Sequence, residues 1–337
     1  MPSFSRKCIV NPEVVGTYHC TSRCVRRAYL CGYDQLHNAN YDHRKEWIKE
    51  RMDMLSQCFF VDVGSYAIMC NHFHLNIRIR PDLVNDASDE EIVERWWRLF
   101  PRISCITKKK PISVPESIRY EWLNDKKWLM ERRRRLCSLS WFMRCLCEYV
   151  ARKANMEDGV TGRFWEGRFK SQALLDDAAV LAAGIYVDLN PIRAGRAMTP
   201  EDSKYSSVQD RIRSMPATNN NPRDLSRGSF LSPIYEKKSP EEDLVEPFLD
   251  MKEEDYIELV DWYGRQLVQG KRGSIPQHLP NIFERIGVKI KHDVNYLGGV
   301  FKKGSRAIGS ESSLRRYASN IGQKWVHGVG PARLAFA

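Results

Sequence analysis

The chain has 337 residues, 42% of them hydrophobic and 28% charged, with a net charge of +11. That is globular material for one large domain or two ordinary ones. No apolar run approaches the roughly 18–20 residues that cross a bilayer, and the first thirty residues show no basic stretch followed by an apolar core. A membrane span and a secretory leader are therefore not expected, and a cytosolic protein is.

Ten cysteines in such a chain read as reduced thiols rather than a disulfide framework. Cys20/Cys24 and Cys145/Cys147 are close pairs, but neither has a partner pair at zinc-finger or zinc-ribbon spacing. The charge is unevenly placed. Residues 1–100 are balanced, residues 101–150 carry +7 and residues 301–337 carry +6. Two basic blocks are either two solvated faces or two contact areas for a polyanion, and nucleic acid is the favoured partner.

In chain order, residues 14–30 read as a strand running into a turn. Residues 43–58 ("HRKEWIKERMDMLSQC") read as an amphipathic helix with Trp47, Met52, Met54 and Leu55 inward. "CFFVDVGSYAIM" and "CNHFHLNIRI" read as two further strands. Strand, helix, strand, strand is the front half of a split βαβ sandwich.

In the second of these strands side chains alternate between faces. Met69, Asn71, Phe73, Leu75, Ile77 and Ile79 lie on one side, and Cys70, His72, His74, Asn76, Arg78 and Arg80 on the other. His72 and His74 are about 7 Å apart at Cα and point the same way. Both rings can reach one divalent ion, or both can simply be solvated. Arg78, further along that face, is a candidate phosphate contact.

Residues 83–160 read as a basic helical insertion rich in tryptophan, with "KKK" at 108–110 and "RRRR" at 132–135. Residues 161–175 ("TGRFWEGRFKSQALL") read as extended. Arg163, Arg168 and Lys170 alternate there with Phe164, Trp165 and Phe169. Rings could stack on bases while cations track phosphates; core aromatics with surface arginines is the plainer alternative.

Residues 176–190 read as a helix capped by Asp176 and stopped by Pro191. Ala178, Leu181, Ile185 and Leu189 form its expected buried stripe. Tyr186 and Asn190 share a face one turn apart, above a run of alanines that admits a close surface. Tyr186 could equally be a half-buried core tyrosine. Residues 215–245 read as a linker, and 246–337 as a small, mainly helical C-terminal domain whose last helix turns Leu314, Tyr317, Ile321 and Trp325 inward and Arg315, Arg316 and Lys324 outward.

"NHFHLNI", then "GRFWEGRFKSQALL", then "YVDLNPIRAG" together resemble the HUH single-tyrosine transposases, in particular the REP-associated branch with a C-terminal extension. The resemblance covers about residues 14–210. It implies an α+β fold, a ferredoxin-like split βαβ sandwich with an antiparallel sheet (the HUH nuclease core), within a catalytic domain spanning 1–214. It implies that His72, His74 and Asn190 bind a divalent metal ion, Mg2+ or Mn2+, and that Tyr186 is the catalytic nucleophile. Arg78, Arg163, Trp165, Arg168, Lys170 and Arg193 are then the expected DNA-binding residues.

The implied activity is metal-dependent nicking and rejoining of single-stranded DNA near hairpins through a 5′-phosphotyrosine, in the bacterial cytoplasm at the nucleoid, by a monomer or homodimer. The basic insertion departs from compact members of the family. Tyr149 is a rival nucleophile, with Lys153 rather than an amide four positions on. A non-catalytic nucleic-acid binder of the same fold is the competing function, and a histidine-dependent hydrolase using water a more distant one.

Overall fold

The computed structural model describes residues 9–25, 31–34, 38–102, 113–215, 230–237, 246–268, 270–280, 282, 285, 307–323 and 326. The lysine run 108–110, most of the expected linker, Lys324 and Trp325 lie outside them.

Strand β1 (Gly16–Arg23) is followed by a small hairpin, β2 (Tyr33–Asp34) and β3 (Ala39–Asn40), and by helix α1 (His43–Cys58). Strands β4 (Val61–Ile68) and β5 (His72–Ile79) come next. Five helices follow: α2 (Pro81–Asp86), α3 (Asp89–Leu99), α4 (Glu116–Asn124), α5 (Lys126–Leu136) and α6 (Leu139–Glu157). Strand β6 (Lys170–Leu174) leads into α7 (Asp177–Asp188), the short α8 (Asn190–Arg193) and α9 (Ser207–Ser214). Helix α10 (Glu253–Arg265), strand β7 (Ala307–Ile308) and a last helix, Glu311–Asn320, complete the described elements.

The main sheet has the order β4-β5-β1-β6-β7, antiparallel except for the β6–β7 pair. The fold is thus mixed α+β with a five-stranded, mostly antiparallel sheet. The expected helix over 43–58 is α1, with Ile48, Met52 and Leu55 fully buried and Trp47 and Met54 half-buried. Trp47 sits instead beneath the Lys153 ammonium, 4.2 Å from its ring centroid.

Each face of the sheet has its own core. Tyr18, Cys20, Phe73, Leu75, Ile77 and Ile79 join residues of α1, α3, α5 and α6 in one apolar cluster. On the other face α7 packs over β4 and β5. Its residues Ala179, Val180, Ala183 and Ile185 share a second cluster with Val208, Phe248, Tyr256, Ile257 and Val260. The expected stripe on α7 is corrected in part: Ala178 and Leu181 are half-buried, and Ala179 and Ala183 face the core.

Local chemistry sets the helix ends. Ser88 accepts from Glu91 N at the start of α3, as a Ser-x-x-Glu box does. Asp176 accepts from Ala179 N at 2.9 Å and opens α7 as expected. Its second oxygen takes Ser310 N at 2.7 Å, which ties the last helix to α7. Pro191 does not end the chain's helical course; it lies in the first turn of α8, where its missing N–H costs nothing.

Ser232 N bonds Val63 O and Phe248 N bonds Pro233 O, so residues 230–237 and 246–250 lie against β4. Phe248 occupies the space a side chain at Gly64 would need: a Cβ there would sit 2.0 Å from its ring. Gly64 also falls where the β4–β5 register slips. Helix α7 is apolar on two sides, and among the described residues Phe248, Leu249, α9 and α10 help cover the second. No helix among the described residues is long and apolar enough to cross a membrane.

Candidate functional site

Opposed residues of an antiparallel pair share a face. In β1 and β5 the register sets Arg23 against His72, Thr21 against His74 and His19 against Asn76. In β6 it sets Gln172 against His19. The polar alternation of three strands therefore converges under α7, and His72 and His74 point the same way, their ring centroids 4.9 Å apart. The ring of Tyr186, on α7, meets His74 edge-on at 5.6 Å and His19 at 5.9 Å. Tyr149 is elsewhere, on α6 between Arg51 and Lys153.

His19 is the residue that sequence reasoning missed. Its Nε2 lies 3.0 Å from His74 Nδ1, and its Nδ1 lies 3.3 Å from Gln172 Oε1. The only signal was its place among Thr17, Thr21 and Arg23 on one face of β1; its partners are 55 and 153 residues away.

Burial controls the site's electrostatics. It pushes His72 down to about 4, helped by the positive charge of Arg23. It also pushes His19 down to about 4, against the hydrogen bond to Gln172. His74 falls well below the ordinary histidine value through burial and then through His19, His72, Lys271 and Arg23. The imidazoles are therefore neutral at neutral pH. Burial raises the Tyr186 phenol above its ordinary value, and a hydrogen bond with the Asn190 side chain opposes it.

Among the described residues no group of three or more His, Cys, Asp or Glu side chains is arranged to hold a metal ion. The site instead offers neutral imidazoles on one strand face, with a lone pair on each of His72 and His74. Two imidazoles are too few for a closed structural zinc site and would leave the other positions of a bound ion to water or substrate oxygens. The eight cysteines among the described residues are all thiols.

Several expected contacts are differently placed. Asn190 donates to Tyr186 O at 2.8 Å, so its amide serves the helix end and the phenol rather than the imidazoles. Arg78 is buried; it donates to Pro247 O at 2.9 Å and Phe248 O at 2.7 Å, and its guanidinium packs on the Phe248 ring. Arg193 donates to Gln266 O and Tyr263 O, anchoring the end of α10. Trp165 is 9% exposed, packs on Phe73 and donates to Cys147 O at 2.8 Å. Arg78 and Trp165 are buried and Asn190 and Arg193 half-buried, and each of the four has a hydrogen-bond partner within the chain.

Phe164 and Phe169 are buried like Trp165, while Arg163, Arg168 and Lys170 are exposed, so the segment follows the plainer of the two readings. The four-arginine run is also internally engaged. Arg132 packs on Trp96 and Trp128, Arg133 donates to Val84 O and Asp89, and Arg134 and Arg135 bind Glu131.

No family model matches the sequence, and no curated protein matches it. A solved structure of the REP-associated tyrosine transposase bound to a REP hairpin is similar over 66% of this chain and 96% of that chain, at 12% identity and a TM-score of 0.37.

Proposed function

We propose that the chain is a metal-dependent single-strand DNA nicking and joining enzyme with Tyr186 as nucleophile. The observation that carries this reading is the packing of the Tyr186 ring on His74, residues from elements 112 positions apart, beside His72. In support of the split βαβ core, β6, β1, β5 and β4 stand in the sheet order fourth, first, third, second of the four long strands, with α1 packed on α6.

His72 and His74 would hold the ion. A bound Mg2+ or Mn2+ would act as a Lewis acid on the scissile phosphate. Tyr186 is protonated at neutral pH, and burial disfavours its ionisation until cationic charge arrives beside it. Attack of its oxygen on phosphorus would form the Tyr–O–P bond, break the bond from phosphorus to the 3′-oxygen of the neighbouring nucleotide and release it as a 3′-OH, the phenol proton passing to that oxygen through solvent. The phosphodiester bond is exchanged rather than hydrolysed, so the reverse step rejoins the strand without a nucleotide cofactor. Arg163, Arg168 and Lys170, exposed around the entry to β6, would hold the DNA backbone. Cytoplasmic action at the nucleoid, on hairpin-containing DNA, belongs to the same proposal.

A labelled single-stranded hairpin DNA incubated with Mg2+ or Mn2+ is expected to give a denaturation-resistant adduct with the wild type and none with Tyr186→Phe, which retains binding. An adduct with Tyr186→Phe would remove Tyr186 from the mechanism. One observation favours a non-catalytic binder of the same fold, namely the upward shift of the phenol. That alternative expects salt-sensitive binding with no nicking by the wild type.

A further inference from the structure

We propose that His19, itself oriented by Gln172, fixes His74 in its Nδ1–H tautomer and so acts as a positioning residue of the site. The inference starts from atoms that can play only one part. A side-chain carbonyl oxygen only accepts, so the 3.3 Å contact between Gln172 Oε1 and His19 Nδ1 puts the proton on that nitrogen. Two imidazoles in a 3.0 Å nitrogen–nitrogen contact share one N–H and one lone pair. With Nδ1 protonated, neutral His19 presents its Nε2 lone pair, and the N–H in the contact belongs to His74 Nδ1. His74 then keeps its Nε2 as the lone-pair atom.

His72 follows the same rule independently. Its Nδ1 lies 2.5 Å from Asn71 Oδ1, an acceptor, which leaves Nε2 as its lone-pair atom too. Both histidines thus present the same nitrogen, each held through its other one by a neighbour. Fixing the tautomer and ring of a ligating histidine in this way raises its effectiveness as a donor.

His19 is 5% exposed, and register places it directly opposite Gln172. The side chains therefore meet because the strands pair, not through flexible loops. The use of the freed His74 nitrogen rests on the nicking reading; the tautomer does not.

The test is long-range 1H–15N NMR of metal-free protein labelled at histidine, with Mn2+ binding followed by EPR. The wild type is expected to show His74 as Nδ1–H. His19→Phe keeps a planar aromatic ring and removes the acceptor. It is expected to shift His74 toward Nε2–H and to weaken Mn2+ binding roughly tenfold or more. His19→Gln, which restores a carbonyl acceptor, is expected to recover both. Gln172→Leu, at a half-buried position that leaves the core intact, is expected to mix the tautomers of His19 and His74.

His74 found as Nε2–H in the wild type would overturn the proposal, as would His19→Phe or Gln172→Leu leaving the His74 spectrum unchanged. An altered His74 tautomer with unchanged Mn2+ binding would overturn the positioning role. An Nδ1–H tautomer in a protein that never forms a DNA adduct would sink the nicking reading and leave this one standing.

Discussion

At the residue scale, Trp165 separates two uses of the same peptide. Alternating aromatics and cations are what a base-stacking strand needs, and also what a strand with one core face produces. The ring is buried on Phe73 with its N–H donated to Cys147 O, so Trp165→Ala removes core volume. It is expected to cost about 3–5 kcal/mol in urea denaturation. Unchanged stability with weakened DNA binding would return Trp165 to the DNA surface. Arg78 and Arg193 teach the same lesson. A basic side chain in sequence shows its charge but not the carbonyls of residues 247, 248, 263 and 266 that hold it. His72 and His74 were legible because alternation within one strand orients them. His19 was not, because its meaning lies in the pairing of three strands.

At the scale of elements, α7 is the piece on which the site depends, and Asp188 holds it from below. Its carboxylate receives the Ser207 hydroxyl, Val208 N at 3.0 Å and the Tyr256 hydroxyl at 2.5 Å, joining α7 to α9 and α10. Burial raises its pKa from 3.8 to about 6, against those hydrogen bonds and the Arg211 charge. The folded state therefore keeps a proton that the unfolded chain gives up between pH 3.8 and 6. The resulting stabilisation is full below pH 3.8 and is lost as the pH rises through 6. Asp188→Asn has no such dependence. The stability of the wild type minus that of the variant is expected to fall by about 3 kcal/mol between pH 3.5 and 7. A difference independent of pH would mean that folding leaves the Asp188 pKa at its unfolded value. The helices themselves were readable from capping residues and period, α1 to the residue. The partner of the α7 underside was not, since Tyr256 and Phe248 arrive from beyond the expected linker.

At the scale of the molecule, composition and blockwise charge described a basic globular chain, but not which cations remain available. The arginines at 132–135 turn to tryptophans and carboxylates within the helical insertion, while Arg163, Arg168 and Lys170 stay exposed. Residues 248–264 help bury the outer side of α7. A chain ending at residue 245 is therefore expected to lose cooperative thermal unfolding and to aggregate, as followed by calorimetry and light scattering. A shortened chain that melts as sharply as the full one would restore an independent C-terminal domain.

The central claim is that a phenol and an imidazole pair, distant in sequence, meet to exchange a phosphodiester bond. The most direct measurement is mass spectrometry of the wild-type protein after reaction with single-stranded hairpin DNA and Mn2+, followed by nuclease and protease digestion. The account predicts a nucleotide attached through phosphate to the peptide carrying Tyr186, and to no other. A nicked product with no modified peptide, or with the nucleotide on Tyr149, would contradict it.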